Sequence, residues 1–271
     1  MAGIAAQLRA GQLNDGWRAV QCVENHDLVY KGRDKRISRL ADGSNPLKAI
    51  EDDPELALVG QTDLGDDLES AIRQTEADAV VDFTTASAAF SNCKAIIQAS
   101  SRPVIGTSGL LPEQVKELQD LAHQKNIGGI IAPNFAIGAV LMMKFASEAA
   151  RFMPDVEIIE LHHEKKADAP SGTAIKTAAL IAESRNRVPE AIEEKEIITG
   201  ARGARTNEVP VHSVRLPGKV AHQEVIFGGK SQTLTIRHDS IHRDSFMPGV
   251  CLACKKVMDL DELVYGLEHV L

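Results

Sequence analysis

Between Glu55 and Phe135 the chain switches repeatedly between two hydrophobic periods, and this alternation narrows its possible folds more than any other feature. Glu55-Leu-Ala-Leu-Val-Gly60, Ala79-Val-Val-Asp-Phe83, Pro103-Val-Ile-Gly-Thr107 and Gly128-Gly-Ile-Ile-Ala132 are short, nearly continuous apolar runs. Such runs suit strands covered on both faces in a parallel sheet. Helical stretches separate them. Asp66–Thr75 puts Leu68, Ala71 and Ile72 on one side; Ala86–Ala99 follows; Pro112–Lys125 turns Val115, Leu118 and Leu121 inward. Pro46–Asp53 reads as the end of an earlier helix. Strands alternating with helices predict right-handed βαβ units and a doubly wound, Rossmann-like α/β sheet. Ligands of such sheets lie outside the carboxyl ends of the strands. Three of those ends, Phe83-Thr84-Thr85, Gly106-Thr107-Ser108 and Ala132-Pro133-Asn134-Phe135, offer hydroxyls, an amide and small residues suited to a nucleotide.

After this the pattern changes. Gly138–Met153 is an Ala- and Met-rich helix, a packed connector. Val156–Ile159 alternates like a strand, and Ala174–Arg187 is helical with Ile175, Ala178, Ala179 and Ala182 on one face. Val209–Leu216, Gly218–Phe227 and Gln232–His238 follow the two-residue period of strands in a half-covered sheet. Met247–Asp259 and Asp261–Leu271 read as helices that return to the first domain and make it discontinuous. The expected division is 1–133 with 247–271 as a nucleotide domain, and 134–246 as an α+β domain with a mixed sheet. In residues 1–46 the sequence offers a short helix at Met1–Ala10, a solvated basic run at Lys31–Arg39, and no recognisable buried first strand.

Composition restricts the partners. With 271 residues and a net charge of -8, a broad nucleic-acid footprint is not expected, and a local basic pocket must do any anion binding. No apolar run reaches membrane-spanning length, and no basic segment leads into an apolar stretch at the N-terminus. Four cysteines in a chain of this size fit a reducing cytoplasm. Cys251-Leu-Ala-Cys254 lies in helix-like sequence with no second pair, which suits packing better than redox or metal chemistry.

The densest chemistry lies in Glu160-Leu-His-His-Glu-Lys-Lys-Ala-Asp-Ala-Pro-Ser-Gly-Thr-Ala174. Two histidines beside two lysines supply proton donors that work near neutral pH. Pro170-Ser-Gly-Thr173 reads as a turn into a helix start, whose N–H groups suit a carboxylate or phosphate. A metal hydrolase built on His162, His163 and Glu164 is disfavoured, because adjacent strand residues point to opposite faces and chelate poorly. No metal is expected.

This stretch resembles the signature of the dihydrodipicolinate reductase family, E-x-H-H-x-x-K-x-D-x-P-S-G-T-A. The similarity runs from about Pro46 to Leu271 and takes in Val81-Asp-Phe-Thr84, Gly106-Thr-Ser-Gly109, Ala132–Gly138, His212–Pro217 and Ala221–Phe227. The resemblance implies NAD(P)H-dependent reduction of 4-hydroxy-tetrahydrodipicolinate in lysine and diaminopimelate synthesis, by a homotetramer. It makes His162 the general acid and Lys166 the second catalytic group. His163, Gly172 and Thr173 would hold the dicarboxylate, and Gly106, Thr107, Ser108, Ala132, Pro133, Asn134 and Phe135 the nicotinamide side of NADH or NADPH. Ser108 stands where the family usually has a second threonine and keeps a hydroxyl. Arg243 lies near a substrate-side basic position of the family. The hydride must come from the nucleotide, since no side chain can supply one.

The family's G-x-x-G-R-M-G phosphate loop is missing before Pro46. Codons for Ala41-Asp-Gly-Ser-Asn-Pro46, read one base later, can spell Arg-Met-Gly-Gln-Thr-Leu, which identifies residues 1–46 as a candidate out-of-frame segment. Asp63 is either the ribose-binding acid or the start of the next helix, and the N-cap-like Thr62-Asp-Leu64 favours the second. Two outcomes remain open at this level: a working reductase, or a binding protein that keeps the dicarboxylate pocket but has lost the nucleotide.

Overall fold

The structure, a computed structural model, describes residues 18–23, 46–62, 65–189 and 195–271; within 18–23 only the side chain of Val20 is included. Two compact units emerge, Met1–Phe135 with Phe246–Leu271, and Ala136–Ser245. In chain order the first contains β1 (Arg18–Val23), α1 (Pro46–Asp52), β2 (Leu56–Thr62), α2 (Leu68–Thr75), β3 (Ala79–Asp82), α3 (Ala86–Gln98), β4 (Arg102–Ile105), α4 (Pro112–Lys125) and β5 (Gly129–Ile131). The second holds α5 (Ile137–Ala150), β6 (Asp155–His162), α6 (Gly172–Ser184), β7 (Ala204–Thr206), β8 (Val209–Arg215), β9 (Ala221–Gly229) and β10 (Gln232–Ser240). The chain then re-enters the first unit with α7 (Met247–Lys256) and β11 (Leu263–Tyr265).

The first sheet has the order β11-β5-β4-β3-β1-β2, and every pairing in it is parallel. All four residues of β3 are buried, as a central strand between two helical layers requires. Val80, Ile105 and Ile131 from the strands pack with Ile72, Ile96, Ile97 and Leu118 from α2, α3 and α4. Each such side chain contributes roughly 1.5–3 kcal/mol of burial. Local chemistry sets the helix ends. Asp67 caps α2 by accepting from Ser70 N at 3.0 Å. Pro112 opens α4, where its fixed φ and missing N–H cost nothing, and Asn126 closes it in the left-handed region at φ 53°.

Three expectations need correcting. The first 46 residues do contain an interior strand of the sheet: β1 lies between β2 and β3, and its Val20 is fully buried. Arg18 and Gln21 interrupt its apolar run, so only its pairing with later strands reveals it. The segment after Asp261 is not helical; it forms the edge strand β11 and a short 3-10 turn at Leu267–Val270. Parallel pairing of Leu263, Val264 and Tyr265 with β5 overrides the local helical pattern. The cap of α2 is Asp67, four residues beyond the Thr62-Asp-Leu64 position. Asp63 itself, Met1–Ala10, Lys31–Arg39 and Ala41–Asn45 lie outside the described residues.

The second unit is a mixed sheet of order β10-β9-β6-β8-β7. Its central strand β6 runs parallel to β8 and antiparallel to β9. Alternation buries Val156, Ile158 and Glu160 on one face, with Val211, Val225 and Phe227 from the flanking strands. Ala174, Ala178 and Ile181 of α6 are buried as well. The opposite face carries ion pairs: Glu157 with Arg202 at 2.6 Å and with His212 at 2.8 Å, and Arg237 with both Glu224 and Asp239.

Candidate active site

In the second unit the site is built where β6 ends. His162 is the last residue of the strand, and its register partners are Ala221 on β9 and Arg215 on β8. Two residues earlier, on the same face, stands Glu160, whose side chain has no exposed surface. Such a carboxylate is costly to bury unless every oxygen is satisfied. Here Oε2 is bonded to His162 Nδ1 and accepts from Arg215 Nη1 at 3.0 Å, while Oε1 accepts from Arg215 Nη2 at 2.9 Å. Burial works to raise the Glu160 pKa, but hydrogen bonds from His162, Arg215 and Ser213 outweigh it and hold the carboxyl at about 2. The imidazole is thus gripped through Nδ1, which leaves Nε2 as its other proton-carrying atom.

The loop after the strand brings the other groups. A turn closes from Lys166 N to His163 O at 3.1 Å. The Lys166 ammonium donates to both carboxylate oxygens of Asp168 at 2.8 Å, and this bond chiefly holds Asp168 below the usual carboxylate range. Arg215 Nη2 also donates to the Asp168 carbonyl at 2.7 Å, which ties the loop to β8. Ser171, buried, caps α6 by accepting from Ala174 N at 3.2 Å. Gly172 and Thr173 are the first two residues of that helix, where the helix dipole favours an anion. Imidazole, ammonium and helix start therefore share 12 consecutive positions, His162 to Thr173, within one unit.

The first unit brings together the ends of β3, β4 and β5. Gly106 N donates to Asp82 O at 2.8 Å and Ala132 N to Ile105 O at 2.8 Å, so the three ends lie side by side. A Cβ at Gly106 would stand 2.1 Å from the Phe83 ring, so any larger residue there would have to displace that ring. Phe83 in turn packs on Phe135 with ring centroids 5.6 Å apart. Thr107 Oγ1 donates to Thr84 O at 3.1 Å. Ser108 and Pro133 are exposed and Asn134 is half-buried, whereas the side chains of Ala132 and Phe135 are buried and leave only backbone to a ligand. The strand order reverses direction between β1 and β3, the place where doubly wound sheets take nucleotides. Hydroxyls, an amide and accessible backbone are thus gathered at the ends of β4 and β5.

Three residues carry weight here that the sequence did not single out. Glu160 and Arg215 were visible only as parts of longer motifs; their separation of 55 positions is bridged by the β6–β8 register. Asp82, fully buried at the end of β3, accepts from Thr84 N and Thr84 Oγ1 at 2.7 Å and from Asn92 Nδ2 at 3.0 Å. Burial pushes its pKa up against those bonds. A polar residue inside an apolar run was the one available signal. Arg243 lies in a 3-10 turn, Arg243–Phe246. Cys251 and Cys254 are buried in α7, with thiol pKa values raised by burial.

Comparison with known proteins bears on both units. Residues 31–135 match the family profile "Dihydrodipicolinate reductase, N-terminus", and residues 138–271 match its C-terminal counterpart. A 4-hydroxy-tetrahydrodipicolinate reductase of Coxiella burnetii is 54% identical over 246 residues, covering 90% of this chain and 99% of the relative. One from Listeria monocytogenes is 56% identical over 205 residues, covering 75% of this chain and 78% of the relative. Among solved structures, a dipicolinate-bound dihydrodipicolinate reductase from Paenisporosarcina sp. TG-14 superposes with a TM-score of 0.80 at 40% identity, over 94% of this chain and all of that one. A Clostridium difficile dehydrogenase at 11% identity and TM-score 0.56 shares the fold alone.

Proposed function

We propose a reaction for a chain that belongs to the dihydrodipicolinate reductase family, whose two domain profiles it matches along most of its length. It is an oxidoreductase that converts 4-hydroxy-tetrahydrodipicolinate to tetrahydrodipicolinate, on the route to diaminopimelate and lysine. The balance is loss of one water from the substrate and gain of one hydride and one proton, with oxidation of NADH or NADPH. The observation that carries this reading is the coincidence, in one unit, of a carboxylate-held histidine, a lysine and a capped helix start. That is the equipment for a dicarboxylate whose ring must be protonated.

Reduced nicotinamide, when bound, supplies the hydride. Everything else falls to the residues of the chain. Gly172 and Thr173 offer N–H groups to one substrate carboxylate, and His163 takes part in holding the dicarboxylate. Lys166 gives up part of its contact with the exposed Asp168 carboxylate and turns its charge to the substrate, where negative charge develops as hydride arrives. His162 delivers a proton from Nε2 to the atom that takes up the electron pair. Gly106, Thr107, Ser108, Ala132, Pro133, Asn134 and Phe135 hold the nicotinamide side of the nucleotide. The unit comprising 1–135 and 246–271 serves the nucleotide and 136–245 the substrate. The protein works in the cytoplasm as a homotetramer. Consistent with assembly, Ile197 and Ile198, ahead of β7, are 92% and 73% exposed, an adjacent apolar pair that a second subunit could cover.

Absorbance of NADH and NADPH, followed with freshly generated substrate, tests the reaction and ranks the two nucleotides. His162→Ala should lower kcat at least 100-fold while dipicolinate still binds. Dipicolinate binding without any nucleotide oxidation by the purified chain would overturn the reductase. Light scattering on the eluted protein checks the tetramer.

A further inference from the structure

Within the proposed reaction His162 is the proton donor, yet the residues that aim it belong to a separate, buried arrangement. Glu160 has both oxygens committed: Oε1 to Arg215 Nη2 at 2.9 Å, Oε2 to Arg215 Nη1 at 3.0 Å and to His162 Nδ1. Both terminal nitrogens of Arg215 are committed as well, because Nη2 continues to the Asp168 carbonyl at 2.7 Å and Nη1 to the Val214 carbonyl at 2.8 Å, while Nε is buried without a hydrogen-bond partner among the described residues. A second tie fixes the same corner: Leu216 N donates to the His162 carbonyl at 3.0 Å. One buried fork thereby holds the ring of His162 and the loop that carries Lys166.

Simple packing does not call for this arrangement. A leucine would fill the interior of β6 without the cost of burying a carboxylate. What an ionised carboxylate adds is chemical: it takes the Nδ1 proton of imidazole, holds the ring in one orientation, and stabilises the imidazolium before proton transfer. The bidentate fork keeps the carboxylate charged and its plane fixed. Other ionisable groups on the neighbouring segments are His163, Glu164, Lys165, Lys166 and Asp168 of the loop and Lys219 between β8 and β9. On β9, Ala221 faces His162, while alternation puts His222, bonded to Asp239, on the opposite face of the sheet.

We infer that Glu160 and Arg215 are positioning residues for the reduction: Glu160 sets the tautomer and charge of His162, and Arg215 couples that setting to the loop bearing Lys166. This rests on His162 being the proton donor. It assigns the two residues different kinetic signatures. Loss of the Glu160 charge should act on the chemical step. Loss of the second arm of Arg215 should act on the loop that receives the dicarboxylate.

Full-length Glu160→Gln, Glu160→Asp, Arg215→Lys and His162→Ala variants provide the test. In pH profiles of kcat, Glu160→Gln should lose on the order of 100-fold, with substrate KM changed less than threefold and the alkaline limb moved to lower pH. Glu160→Asp should recover the limb and part of kcat. Arg215→Lys should raise the dipicolinate Kd at least fivefold and leave the limb in place. Ring ¹⁵N spectra give a readout independent of turnover: His162 should carry its proton on Nδ1 in the parent and lose that preference in Glu160→Gln. An unshifted limb and unchanged ring spectrum in a folded Glu160→Gln would overturn the inference. If that variant does not fold, failure of Glu160→Asp and Arg215→Lys to separate kcat from Kd would overturn it equally. Activity retained by His162→Ala would instead refute the proton-donor reading beneath it.

Discussion

Acid should unfold the second unit through Glu160, and the size of the effect can be worked out. The carboxyl sits at about 2 in the fold against an ordinary 4.5. The native state thus binds this proton more weakly than the unfolded chain. The resulting stabilisation is complete above 4.5 and disappears as pH falls through 4.5 toward 2. A difference of about 2.5 units corresponds to roughly 3 kcal/mol, at about 1.4 kcal/mol per unit. By pH 3 about 2 kcal/mol of it should be gone. Asp239 is also held at about 2, but its side chain is 36% exposed and solvent weakens its share. Subtraction isolates Glu160. Urea unfolding followed by far-UV circular dichroism, on the parent and on Glu160→Gln at pH 6 and pH 3, gives two stability losses. The parent should lose about 2 kcal/mol more than the variant over that interval. Equal losses would mean that the carboxyl is not depressed and that the Arg215 and His162 bonds do not hold it.

Asp82 should behave with the opposite sign. Burial raises its pKa, so its ionisation costs the fold, and the parent should lose stability relative to Asp82→Asn as pH rises above the ordinary 3.8; a pH series of thermal melts checks the sign. Gly249→Ala should destabilise the first unit by about 1–3 kcal/mol or more, since the added Cβ would stand 2.0 Å from the Phe135 carbonyl oxygen; calorimetry would show a lower Tm. Thr107→Val removes the hydroxyl bond to Thr84 O, worth about 1 kcal/mol, and should weaken NADH binding about fivefold with dipicolinate affinity intact, by titration calorimetry.

How far the sequence could be read depended on whether a contact is local. Ala79–Phe83 and Gly128–Ala132 announced themselves as covered parallel strands because two faces of helix demand continuous apolar residues. β1 carries Arg18 and Gln21, and β11 is only three residues long, so each is a strand because of partners far along the chain. His162, Lys166 and Thr173 were legible as a cluster because the loop keeps them within 12 positions. Glu160 was in view as the first letter of the same stretch, but its role was not, because the guanidinium that makes its burial tolerable comes from Arg215 on another strand. Sequence spacing records neighbours along the chain, and register alone reports neighbours across a sheet.

The late return of the chain to its first sheet has a consequence for synthesis on the ribosome. Residues 136–245 are an insertion between β5 and α7, so the entire second unit emerges before the first can be finished. Until Leu263–Tyr265 arrive, the buried Ile130 and Ile131 of β5 form an open edge able to pair with another nascent chain. Removing the last nine residues would take away a structural border rather than a tail. The damage would appear as aggregation during expression, before any assay of catalysis could be made.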